Sequence, residues 1–105
     1  TGKYLQDQAL PGARLNLSNK FRRYSSAIGL KAIQRYVQLA REYAVDPTHM
    51  ALAFVTSKPF VTSAIIGATS NTQLDHNLQA CDIELPRELN RAIDAVHEEI
   101  SNPCP

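Results

Sequence analysis

The 105 residues begin at Thr1 and include only four glycines, and they suffice for one hydrophobic core but not for two. A hydrophobic fraction of 44% beside a charged fraction of 20% excludes the composition of a disordered chain. The net charge of +1 is not that of a nucleic-acid binder, yet it conceals an asymmetry: residues 1–58 carry nine Lys or Arg against three acids, and residues 59–105 carry two against seven.

Before Ser25, Lys3, Arg14, Lys20, Arg22 and Arg23 face only Asp7, a basic opening suited to an anionic partner. No helical or strand period persists from residue 1 to 26, and Leu10-Pro11-Gly12 marks a turn, so this stretch reads either as a long functional loop or as a tail. The apolar runs Met50–Val55 and Ala64–Ala68 are too short to span a membrane, and no secretory leader opens the chain. Cys81 and Cys104 lie in unrelated contexts without CxxC or Cys/His metal spacing, so two free thiols in a reducing, cytoplasmic compartment are expected and no metal ligand is assigned.

From Leu30 the apolar residues recur at Ile33, Val37, Ala40 and Ala44 with polar residues between them, which is the helical period. Asp46-Pro47 then starts a second helix running to about Ser57, because the carboxylate caps orphan amides and proline fits the first turn. Its centre, Met50 to Val55, is apolar on nearly all sides and should be covered. Val61 to Ala68, bounded by Pro59 and holding a continuous Ala-Ile-Ile run, predicts a short strand buried on both faces whose partners are not in this chain. Ser70 and Gln73 have capping-box spacing for a helix through about Gln79. Leu85, Leu89, Ile93, Val96 and Ile100 form the stripe of a last helix beginning near Pro86. The expected fold is therefore mostly α, four helices and one short strand: a loop over 1–26, two helices over 27–57, a strand over 61–68 and two helices over 70–101.

The segment able to carry chemistry runs from Ile65 to Asn77. Gly67 and Ala68 lack bulk, the amides at the following helix start are partly positive, and Thr69 and Ser70 add hydroxyls. Gln73, His76 and Asn77 then share one helical face. By spacing alone this is either a phosphate site or a helix that caps itself.

Gly-Ala-Thr-x-x-x-Gln-Leu-x-x-Asn after Ile-Ile resembles the C-terminal cofactor segment of aldo-keto reductases. Thr1-Gly2-Lys3-Tyr4, Pro47-x-x-Met-Ala-Leu-Ala-Phe-Val and Leu85-Pro86-x-Glu-Leu resemble further motifs of that family in register, so the likeness covers essentially the whole chain, and it extends to a bacterial branch and to the potassium-channel β-subunit branch. The resemblance implies the C-terminal fragment of an α/β (β/α)8 TIM barrel about three times this length, with residues 61–68 as its last strand. It implies an NADPH-dependent carbonyl reductase acting on an aldehyde or ketone, with the remainder of the barrel as this chain's partner. Apolar helices and a strand without partners would leave surface exposed on the fragment alone, so its self-association is also expected. Lys3 would sit by the cofactor phosphates, with Gly67, Ala68 and Thr69 lining the adenosine phosphate site. Gln73 and Asn77 would meet adenine. By the same resemblance Arg14 would be the phosphate arginine, with Arg22 and Arg23 as alternatives. His76 stands in the adenine set where related members carry an acid, which leaves a solvated surface histidine as its other reading. The family's catalytic Asp, Tyr, Lys and His come from earlier strands, so no catalytic residue is expected here, and His49 and His97 match no role. The rival reading is a helical binding module whose loop Lys20–Tyr24 contacts nucleic acid or another anion.

Overall fold

The computed structural model describes residues 26–103; Lys3, Arg14, Arg22, Arg23 and Cys104 lie outside the described residues. Four α-helices follow one another: α1 (Ala27–Glu42), α2 (Pro47–Thr56), α3 (Asn71–Gln79) and α4 (Arg87–Glu99), with a 3-10 turn, Ala80–Asp82, after α3.

Local chemistry sets each boundary. Ser26 caps α1 by accepting from the Gly29 amide at 2.9 Å. At the other end Ala44 sits in the left-handed region, φ 53°. Its amide reaches the Arg41 carbonyl at 3.1 Å, and the Val45 amide reaches that of Ala40 at 2.9 Å. This is a Schellman termination with alanine in the place usually held by glycine, and it ends the helix two residues before the Ala44 that the apolar period had included. Asp46 caps α2 through bonds from the Thr48 and His49 amides at 2.8 and 3.2 Å, with Pro47 in the first turn. No side chain caps α4 in this way, but Asn90 Nδ2 donates to the Leu85 carbonyl at 3.2 Å just before it.

The core joins α1, α2 and α4: Leu39, Ala40, Met50, Leu89, Ile93 and Val96, bordered by Tyr36, Val45, Phe54, Leu85 and Ala92. The buried side of α1 is Gly29, Ala32, Val37, Leu39 and Ala40, so it is rotated from the predicted stripe toward small residues that allow close helix approach. Lys31 and Arg35 on α1 reach Glu99 on α4 at 3.0 and 3.6 Å. These pairs are exposed and serve as a weak tether.

Two expectations are corrected. Residues 61–68 form no strand, and no strand occurs among the described residues. A strand exists through its ladder, and no described segment offers one to this stretch. Ile65 is fully exposed in this chain, the partners expected to cover it lying outside the chain. Covering of the α2, α3 and strand apolar residues is also incomplete, because Val55, Ile66, Leu74 and Leu78 remain exposed.

Candidate cofactor site and the histidine pair

The segment from Gly67 to Ser70 is exposed and leads into α3. Ser70 adopts an extended conformation, φ −148° and ψ 158°, and its Oγ accepts from the Gln73 amide at 3.2 Å. The return arm of the expected capping box is shifted by one residue: Gln73 Oε1 accepts from the amide and the hydroxyl of Thr69, at 2.9 and 3.0 Å, rather than from the Ser70 amide. The amides of Asn71 and Thr72, in the first turn, have no intrahelical acceptor by the geometry of a helix start and are the natural anion donors.

A Cβ added to Gly67 would meet nothing within 4 Å, and its φ lies outside the left-handed range, so no packing among the described residues requires glycine there. Asn77 lies one turn beyond Gln73 on the same helix face and is half-buried. The hydroxyl proton of Thr69 is committed to Gln73, so Ser70, Asn71 and Thr72 hold the donors that an incoming phosphate meets first.

His76 turns toward α2. Its Nε2 lies 3.2 Å from Asp46 Oδ1, its carbonyl accepts from His49 Nε2 at 2.7 Å, and the two imidazoles stack with centroids 4.2 Å apart and planes inclined by 26°. His76 is thus half-buried and pinned between helices, unlike the solvated histidine of the alternative sequence reading. Burial pushes the Asp46 carboxyl upward, but the amide bonds from His49 and Thr48, joined by side-chain bonds from His76 and Thr48, outweigh it and lower its pKa. Asp46, His49 and His76 together offer three possible metal-ligand atoms within 4.8 Å of one another. Sequence spacing missed this group, because Asp46 and His49 are close in the chain while His76 arrives from α3; the i, i+3 placement of Asp46 and His49 at a helix start is the only local signal.

Tyr36 and Cys81, among the described residues, lie apart from this group. Tyr36 borders the core, where burial and then the charge of Asp94 raise its phenol pKa, the wrong direction for an acid working near neutrality. Cys81 is a free, exposed thiol. No helix among the described residues is long and apolar enough to cross a membrane.

Comparison with known proteins now places the chain. The model of the aldo/keto reductase family matches residues 1–98. The chain belongs to the aldo/keto reductase family. Protein tas of Escherichia coli (strain K12) is 43% identical over 105 residues, which is all of this chain and 30% of that protein. An aldo-keto reductase of Babesia bovis is 29% identical over 108 residues, covering 98% of this chain and 38% of that protein. A sequence of Oryza sativa subsp. japonica described as a probable voltage-gated potassium channel subunit beta is 26% identical over 105 residues, covering 97% and 32%. The chain therefore spans about a third of the length of the curated relatives it matches.

Proposed function

We propose that this chain is the C-terminal part of a (β/α)8 aldo-keto reductase barrel, and that it holds the phosphate and adenine end of NADP for an enzyme that reduces aldehydes or ketones. The observation that carries the reading is the exposed turn Gly67–Ser70 at the start of α3, where glycine answers to no internal packing and two helix amides remain free for an anion. Lys3 and Arg14, with Arg22 or Arg23 as the alternative arginine, would add charge from the N-terminal segment, a forked guanidinium and an ammonium being suited to phosphate. Gly67, Ala68 and Thr69 would line that phosphate, and Gln73 and Asn77 would meet adenine, Gln73 after releasing Thr69. His76 contributes at most its backbone, since its ring is held by Asp46 and His49.

When bound, NADPH supplies the hydride for the carbonyl carbon; the residues of this chain bind and orient it, and the catalytic tetrad comes from the preceding strands. The chain alone is then inactive. The exposed Phe60, Ile65, Ile66, Leu74 and Leu78 support a missing neighbour, because apolar surface of this extent is ordinarily covered. In the reading proposed here that cover is the remainder of the barrel, with residues 61–68 completing its sheet; without it, copies of the chain associate. The free thiol of Cys81 fits a cytoplasmic protein.

Fluorescence titration of NADPH against the full-length protein tests the site. Thr69→Val combined with Gln73→Ala is expected to weaken binding by about tenfold or more, as loss of hydrogen bonds to a charged ligand does. Unchanged affinity would remove the assignment.

A further inference from the structure

We propose that Asp46, His49 and His76 form a site for a divalent transition-metal ion, best matched to Zn²⁺, at the junction of α2 and α3. The three ligand atoms lie within 4.8 Å of one another and come from two helices that the ion would bridge. A tetrahedral ion with bonds of about 2.1 Å holds its ligand atoms about 3.4 Å apart. The 3.2 Å between His76 Nε2 and Asp46 Oδ1 is already close to that spacing. The two imidazoles, stacked with planes inclined by 26°, must turn out of their stack for both in-plane lone pairs to meet one ion.

The donor set selects the ion. Two imidazoles and one carboxylate suit zinc and its neighbours, whereas Mg²⁺ and Ca²⁺ favour oxygen-only shells. The His76 carbonyl can only accept, so in the neutral ring the proton of His49 stays on Nε2 and the lone pair on Nδ1. A histidine whose second ring nitrogen donates to a backbone carbonyl is oriented as metal-bound histidines commonly are. The side chains of Asp46 and His76 are each about four-tenths exposed, which leaves water access to complete the coordination. The site is independent of the cofactor reading, as it uses none of Gly67, Thr69 or Gln73.

The test uses metal-free full-length protein without NADPH, in a Cys81→Ser, Cys104→Ser background that removes the two thiols of this segment. Calorimetric titration with ZnCl₂ is expected to show one ion per chain, and Co²⁺ to give tetrahedral visible absorption that Zn²⁺ displaces. His49→Gln and His76→Gln should each weaken Zn²⁺ by about tenfold or more. In NMR spectra the ring protons of His49 and His76 should shift together while those of His97 on α4 stay in place; Mg²⁺ should shift none. Absence of Co²⁺ absorption, equal shifts at His97, or affinity unchanged in both variants overturns the proposal, whatever the protein does with NADPH.

Discussion

Gln73 Oε1 accepts both protons of Thr69, from the amide at 2.9 Å and from the hydroxyl at 3.0 Å, and so folds the Gly67–Ser70 turn onto the first turn of α3. The contact gives a single residue two opposed demands, since the cofactor reading needs the same amide to leave Thr69 and meet adenine. A glutamate substituted at this position separates them. Its carboxylate keeps the acceptor and favours the positive helix start, so Gln73→Glu should leave the melting temperature unchanged or slightly higher. It also places a negative charge beside the proposed phosphate site, and NADPH affinity of the full-length protein should fall by about tenfold or more, falling most at low salt. A titration showing equal affinity for the parent and the Gln73→Glu variant would mean that the cofactor phosphate lies elsewhere.

Asp46 carries the cap of α2 and the tie to His76 on one carboxylate. Its folded pKa lies below its ordinary value, so its contribution to stability is present above the unfolded pKa, near 4. That contribution is lost as pH falls through the lower folded value. Glu99, lowered by its bond with Lys31 and then by the charges of Lys31 and Arg35, acts in the same direction. Asp46→Asn keeps a good cap and should cost only a few tenths of a kcal/mol at pH 7, while Asp46→Ala should cost about 1 kcal/mol. Denaturant midpoints measured from pH 7 to pH 3 should fall less steeply for Asp46→Asn than for the parent. Parallel curves would show that the ionised Asp46 adds nothing beyond its hydrogen bonds.

What was legible in the sequence was what depends on near neighbours. Asp46-Pro47 and Ser70 announced their helices because a cap is made within three residues, and the chain places both caps where those pairs stand. The face of α1 was less legible, since Gly29 and Ala32 are buried for their smallness and a search for large apolar residues passes over them. Residues 61–68 have the composition of a buried strand, but composition cannot supply the ladder. The candidate sites divide in the same way: the proposed cofactor turn, Gly67 to Gln73, is continuous in sequence and so could be proposed there, whereas the meeting of His76 with Asp46 and His49 is tertiary and could not.

Leu89 is 0% exposed and sits at the centre of the cluster joining α4 to Leu39, Ala40 and Met50. Leu89→Ala deletes buried methyl groups where three helices meet, and the cavity should cost about 3 kcal/mol. For a protein of marginal stability that is a large fraction of the total. Urea denaturation followed by circular dichroism checks it; a loss below about 1 kcal/mol would mean that the helices close over the gap or that this cluster is not the cooperative core.

Ala44 offers the opposite sign. Its left-handed backbone, φ 53°, brings the alanine Cβ close to backbone oxygen, a strain of about 1 kcal/mol that glycine avoids. Glycine loses more conformational entropy on folding, which offsets part of the gain. Ala44→Gly should therefore stabilise the protein by roughly 0.5 kcal/mol, because the two Schellman bonds, Ala44 to Arg41 and Val45 to Ala40, need no side chain at this position. Ala44→Val is the counter-test, since a β-branched residue is poorly tolerated there and should destabilise by more than about 1 kcal/mol. If glycine and valine shifted the midpoint in the same direction, the turn would not be held in the left-handed conformation in solution, and α1 would continue through Ala44 as its apolar period suggests.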